Sequence, residues 1–264
     1  MRIFENRVPR FICQIYEVQT PTEAEALVAM GVDHIGSVFM AGDAPSNRRV
    51  GETIAAVRCA GARSSLIPLF SEPERVLDAL ADLKPDFVHF CEALGPDPDA
   101  DVPIADLVAL QRTVRRHFPT IRIIRSIPIG TPGRADSVPT LELAARFSPV
   151  SDLFLTDTLL DGGGHGDGEP VAGFVGITGE TCDWDMARRL VVHSPLPVIL
   201  AGGISPQNAL EGLLRVRPFG IDSCSRTNAV DGDGKPVRFR KDYRKVAQLL
   251  EAVRRAEGRL GDGG

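Results

Sequence analysis

Closely spaced cysteines are missing from this chain of 264 residues. Cys13, Cys59, Cys91, Cys182 and Cys224 stand far apart with no CxxC spacing, which argues against a zinc ribbon or a disulfide framework and suits a reducing compartment. Long apolar runs are missing too. No stretch reaches the roughly 18 residues that a membrane span needs, and the first residues lack the apolar core of a secretory leader. A cytoplasmic protein without a membrane partner is therefore expected. Basic blocks are scarce: the formal charge is -5, and the one tight cluster, Arg238-Phe-Arg-Lys241, reads as the solvated start of a helix, so no nucleic-acid partner is expected. Metal-ligand pairs on a rigid element are also lacking. His165, with Asp161, Asp167 and Glu169 nearby, reads as part of a mobile acidic surface loop and not as a metal site.

What the chain does have is alternation. With 43% hydrophobic residues it can bury one large core. Short apolar runs at Phe11 to Tyr16, Asp33 to Phe39, Ser65 to Phe70, Asp86 to Phe90, Ile121 to Ile127, Asp152 to Thr156, Val198 to Ala201 and Phe219 to Asp222 read as strands. Between them lie segments with helical spacing, such as Val76, Leu77 and Leu80, and a last helix over Tyr243 to Ala256 with Val246, Leu249, Leu250 and Val253 on its buried side. Thr20-Pro-Thr-Glu supplies a helix cap, and Asp183-Trp184 starts another helix. Eight parallel βα units in about 250 residues predict an α/β fold of the TIM (β/α)8 barrel type. A single domain over 1–264 is expected, with long loops after strands six and eight and a frayed tail from Gly258. An open doubly wound sheet is the competitor. It would want its glycine-rich loop after the first strand, whereas here the glycines follow strands six and seven.

The stretch from Pro197 to Asn228 carries the clearest functional signal. A short strand leads directly into Gly202 and Gly203, where a side chain would block a ligand's approach to the main chain. Ser205 and Pro206 then read as the cap and first residue of a helix. The next strand runs into the polar loop Ser223, Cys224, Ser225, Arg226. Main-chain N–H groups from the last two loops of a barrel, aimed at one point, make an anion cradle. The alternative is a plain glycine turn and a serine-rich loop.

In a barrel the loops after the strands form the active face. The polar groups expected there are Cys13 and Gln14 after strand one, Arg48 and Arg49 after strand two, His89 and Cys91 after strand four, Arg125 on strand five and Asp157 on strand six. One thiol and one carboxylate on facing walls suit base and acid roles on a ligand anchored by its phosphate. Each also has a plain alternative: a strand cysteine as a small buried hydrophobe, a terminal aspartate as a turn former.

Several ordered motifs resemble the phosphoribosylanthranilate isomerase family. Ile12-Cys13, Pro21 to Ala29 and Gly31-Val-Asp-His-Ile-Gly-Ser-Val-Phe39 are similar to its first βαβ unit. Ser46-Asn47-Arg48 resembles its Ser-Pro-Arg loop, Phe154-Leu-Thr-Asp157 its sixth strand, and Thr178 to Trp184 its Gly-Thr-Gly segment. Leu200 to Asn208 and Gly220 to Ser225 are similar to its phosphate loops, and Lys241-Asp242 to the pair before its final helix.

The resemblance implies an Amadori rearrangement in tryptophan biosynthesis, without metal or organic cofactor, on a small phosphorylated substrate, by a monomer or homodimer. It implies Asp157 as the acid on the ribose ring oxygen, Cys13 as the base at C2, and Arg48 on the anthranilate carboxylate. Arg125, Gly179, Gly202, Gly203, Ser225 and Arg226 complete the expected substrate contacts. The chain departs from the family pattern at Phe11, Gln14, His89 to Glu92 and Arg226. Those departures keep two further readings open: a related barrel enzyme for another phosphorylated ligand, and a non-catalytic phosphate-ligand barrel.

Overall fold

The computed structural model describes residues 10–42, 45–94, 103–160, 174 and 179–261. The glycine-rich stretch 161–173, with Asp161, His165, Asp167 and Glu169, and the end of the tail, 262–264, lie outside the described residues. Eight parallel strands close into a barrel in sequence order: β1 (Ile12–Ile15), β2 (His34–Phe39), β3 (Arg63–Pro68), β4 (Phe87–Phe90), β5 (Arg122–Gly130), β6 (Leu153–Leu159), β7 (Val198–Leu200) and β8 (Gly220–Ser223). β8 returns to β1 through the register Ile12↔Gly220 to Ile15↔Ser223. Gly220 is needed there, because a Cβ would stand 2.3 Å from the Ile12 carbonyl oxygen.

Helices cover the outside: α1 (Pro21–Met30), α2 (Val50–Cys59), α3 (Pro73–Leu83), α4 (Ile104–His117), α5 (Thr140–Phe147), α6 (Trp184–His193), α7 (Ala209–Val216) and α8 (Tyr243–Gly261). The Thr20 hydroxyl accepts from the Glu23 amide, and the Asp183 carboxylate accepts from the amides of Asp185 and Met186, so both expected caps form. α7 begins later than its sequence suggests. Ser205 to Asn208 form a turn in which the Asn208 side chain accepts from the Ser205 amide and donates to the Gly203 carbonyl. The last helix continues past Ala256 to Gly261.

The core has two layers. Between barrel and helices lie Cys13, Ile15, Leu27, Phe154, Leu213 and Val246, among others. Inside the barrel lie Tyr16, Phe87, Ile124, Leu153, Leu155 and Ile199. Period-two alternation decides which layer a strand residue joins.

The segment after β8 differs from its sequence reading. Arg238-Phe-Arg-Lys241 does not open a helix. It belongs to β10 (Pro236–Lys241), which pairs antiparallel with β9 (Asn228–Val230) in a ribbon beside the barrel. Lys241 is buried, and its ammonium donates to the Cys224 carbonyl at 3.0 Å and to the Asn228 side chain. A lysine in that position ties the ribbon to the end of β8. Among the described residues no helix is long and apolar enough to cross a membrane.

Candidate active site

The carboxyl ends of the strands surround a pocket holding about 780 Å³ of empty space, part of it open to solvent. Val38, Ile67, Leu69, Leu155, Ala201 and Ile204 give it apolar walls. Its polar lining comes from Tyr16, Glu17, His89, Asp157, Asp222, Ser225, Arg226 and Arg238, with the thiols of Cys91 and Cys224.

The floor is a hydrogen-bonded network inside the barrel. The Tyr16 hydroxyl meets Ser65 Oγ at 2.5 Å and His89 Nδ1 at 2.8 Å, and His89 Nε2 meets Ser126 Oγ at 2.9 Å. From the end of β1, a side chain reaches β3 and β4 only through the barrel interior. The Tyr16 ring lies over Gly36, where a Cβ would stand 2.0 Å from a ring carbon. Burial lowers the pKa of His89 to about 3, so the imidazole is neutral at physiological pH and serves as part of this floor.

Besides Glu17, two strand residues bring carboxylates to the pocket, Asp157 from β6 and Asp222 from β8. Burial raises the pKa of Asp222 to about 7, and the nearby Asp157 carboxylate pushes in the same direction. A Gln14 amide donating at 3.2 Å and the Lys241 charge oppose that rise. The other end of Gln14 accepts from His34 Nδ1 at 3.2 Å. Asp222 is thus a carboxyl that holds or yields a proton near neutrality.

The glycine-lined side is formed by the loops after β6, β7 and β8. Gly202 and Gly203 have φ of 86° and 60°, in the left-handed region. Their small size has a direct cause in the neighbouring loop. A Cβ on Gly203 would stand 2.8 Å from the Gly179 carbonyl oxygen, and one on Gly202 would stand 2.3 Å from Thr158 Oγ1. Arg226 donates from Nε and Nη2 to that same Gly179 carbonyl, at 2.9 and 2.5 Å, which binds the β8 loop to the β6 loop. Asp157, Gly179, Gly202, Gly203, Ser225 and Arg226 therefore share one pocket, as the sequence leads one to expect.

Three expected members stand elsewhere. Cys13 is 1% exposed and packs in the layer between β1 and the helices, with Leu27 and Val246. It is an odd number of residues from Tyr16, so its thiol turns away from the pocket that Tyr16 faces. Burial pushes that thiol far up, and Asp33 and Asp222 add to the rise, the opposite of what a thiolate base needs. Arg125 is also one residue out of phase with the interior pair Ile124 and Ser126. Its guanidinium is fully buried in an ion pair with Glu92, donates to the Glu92 carbonyl at 2.8 Å, and lies 4.6 Å over the Phe147 ring. Arg48 is exposed in the turn Pro45–Arg49 and is not among the residues lining the pocket. The residues that sequence reasoning missed are Tyr16, Glu17, Asp222 and Arg238. For Tyr16 the phase it shares with Gln14 on the first strand is fixed only by their contacts in the fold; for Arg238 the sequence held no signal.

A pocket lined by acids at the carboxyl-terminal mouth of a closed (β/α)8 barrel stands where barrel enzymes keep their active sites. No family model matches the chain. Across 244 residues it is 28% identical to the N-(5'-phosphoribosyl)anthranilate isomerase of Methanocella arvoryzae, spanning 89% of this chain and 94% of that one. It is 37% identical to the Haloferax volcanii enzyme of the same name over 122 residues, 46% of this chain and 47% of that one. Its fold is similar to a crystal structure of phosphoribosyl anthranilate isomerase in complex with reduced 1-(o-carboxyphenylamino)-1-deoxyribulose 5-phosphate, with a TM-score of 0.63, 17% identity, and 92% and 98% of the two chains covered. The chain is a divergent relative of the phosphoribosylanthranilate isomerase family.

Proposed function

We infer that this barrel catalyses the Amadori rearrangement of a phosphoribosylamine to an aminoketose, as an isomerase of the phosphoribosylanthranilate type in tryptophan biosynthesis. The observation that carries the reading is the meeting of Asp157, Asp222 and the glycine-lined loops in one pocket, in a chain with these relatives. The substrate phosphate sits against Gly202, Gly203 and Ser225, with Gly179 and Arg226 closing that side. Asp157 protonates the ribose ring oxygen and opens the ring to an iminium. Asp222 takes the place expected for Cys13 and removes the proton from C2. A carboxyl of pKa about 7 is matched to that task, since it accepts a proton from carbon and returns it within one cycle. The chemistry calls on no metal.

The direct test is conversion of N-(5'-phosphoribosyl)anthranilate to the aminoketose by the purified chain. Turnover supports the reading, and a well-folded protein that leaves the substrate unchanged overturns it. A related barrel enzyme acting on another phosphorylated ligand is the second reading. It is favoured by Tyr16, which fills the pocket end of β1 where a thiol was expected.

A further inference from the structure

Arg238 reaches the pocket by an unusual route. β10 spends five steps between Pro236 and Lys241, where β9 spends two between Val230 and Asn228, so the ribbon bulges between those pairs. Arg238 and Phe239 lie in the bulge, and Phe239 has a φ of 60°, in the left-handed region. Bulges of this kind re-aim side chains beside functional sites. Here the bulge carries Phe239 onto Val38, Leu69 and Cys91, the apolar rim at the ends of β2, β3 and β4. Arg238 stacks 4.7 Å over that ring and lines the pocket. The ribbon thus leaves the barrel after β8, passes over β1, and brings a cation to the side away from the loops of β6 and β7.

A second strained residue receives it. Glu17, just past β1, has a φ of 62° and is 1% exposed. Arg238 donates to Glu17 Oε1 from Nε at 2.8 Å and from Nη2 at 2.5 Å. Nη1 makes no hydrogen bond among the described residues, and Glu17 Oε2 is buried without a partner. One edge of the guanidinium is therefore fixed by Glu17. The other edge, with Nη1 and the second proton of Nη2, is the planar fork that suits a carboxylate.

We propose that Arg238 is a specificity-determining residue whose free edge binds the carboxylate on the non-phosphate half of the substrate, with Glu17 holding it in place. The proposal rests on the reading above, in which that half is an aromatic carboxylate, and it replaces Arg48 in the role that the sequence resemblance gave it. The stacked Phe239 and the apolar wall of Val38, Ile67 and Leu69 offer the ring a surface beside the fork.

Calorimetric titration with two separate probes, 2-aminobenzoate and inorganic phosphate, tests it. Arg238→Met is expected to weaken 2-aminobenzoate binding at least tenfold and to change phosphate binding less than twofold. Arg238→Lys keeps a charge for Glu17 and the fold, yet lacks the fork, and is expected to recover only part of the loss. With the full substrate, Arg238→Met raises KM with kcat nearly unchanged. Loss of both probes together, loss of neither, or no 2-aminobenzoate binding by the unaltered chain overturns the proposal. Normal KM in Arg238→Met sinks it and leaves the isomerase reading standing. Arg238-dependent 2-aminobenzoate binding without turnover sinks the isomerase reading and leaves the binding site standing.

Discussion

Asp222 owes its proposed chemistry to its surroundings. Its pKa is about 7 in the fold, against roughly 3.9 for an unperturbed aspartate. Between those values Asp222 binds more protons in the folded chain than in the unfolded one. Its contribution to stability is therefore complete below the unfolded pKa and is lost as pH rises through 7. His34 and His89, with folded pKa values of about 4 and 3, act in the opposite sense, and their contribution is lost as pH falls below about 6.5. Replacing Asp222 with Asn removes only the first effect. The variant should gain urea resistance over the parent at pH 8 relative to pH 5, and should lose about 100- to 10,000-fold in turnover. The parent rate should rise with pH through 7, as the base ionises. A variant with parental pH dependence in both stability and rate would take Asp222 out of this account.

At the scale of elements, strand phase decides what each side chain is for. On β5 the interior residues are Ile124 and Ser126, and Arg125 between them faces the helices. There it neutralises Glu92, whose carboxylate also accepts from the Ser71 hydroxyl at 3.1 Å. Such a pair is costly to break from one side, because the survivor is a buried, uncompensated charge. Arg125→Met should destabilise the fold by about 3–5 kcal/mol, read from a denaturant midpoint, while the folded fraction keeps its substrate KM. A large rise in KM with unchanged stability would show that Arg125 binds ligand after all. The turn before α7 shows the same dependence on context. Ser205 and Pro206 spell a helix start, but Asn208 bonds both the Ser205 amide and the Gly203 carbonyl and delays the helix to Ala209.

At the scale of the molecule, the barrel was legible because its signal is repeated: eight apolar runs alternate with amphipathic helices, so the pattern does not hang on any single run. The glycine-lined side was legible for a different reason, since Gly202, Gly203 and Ser225 sit directly at strand ends, where chain position fixes spatial position. The proposed base, Asp222, was not legible. Cys13 matched a family motif by its letters, but its face of β1 depends on a phase that Gln14 and Tyr16 disclose only when their partners on β2, β3, β4 and β8 are seen. Arg238 was hidden more deeply, because its approach to the pocket depends on a bulged ribbon in a segment whose charge suggested a solvated surface.

The central claim is that proton transfer belongs to carboxylates inside the barrel mouth and not to the thiol near the start of the chain. Turnover of N-(5'-phosphoribosyl)anthranilate by Cys13→Ala and Asp157→Asn, measured side by side, tests it most directly. The account predicts that Cys13→Ala keeps its rate to within about threefold, while Asp157→Asn loses about 100-fold or more. Loss of activity in a folded Cys13→Ala, or full activity in Asp157→Asn, would contradict it.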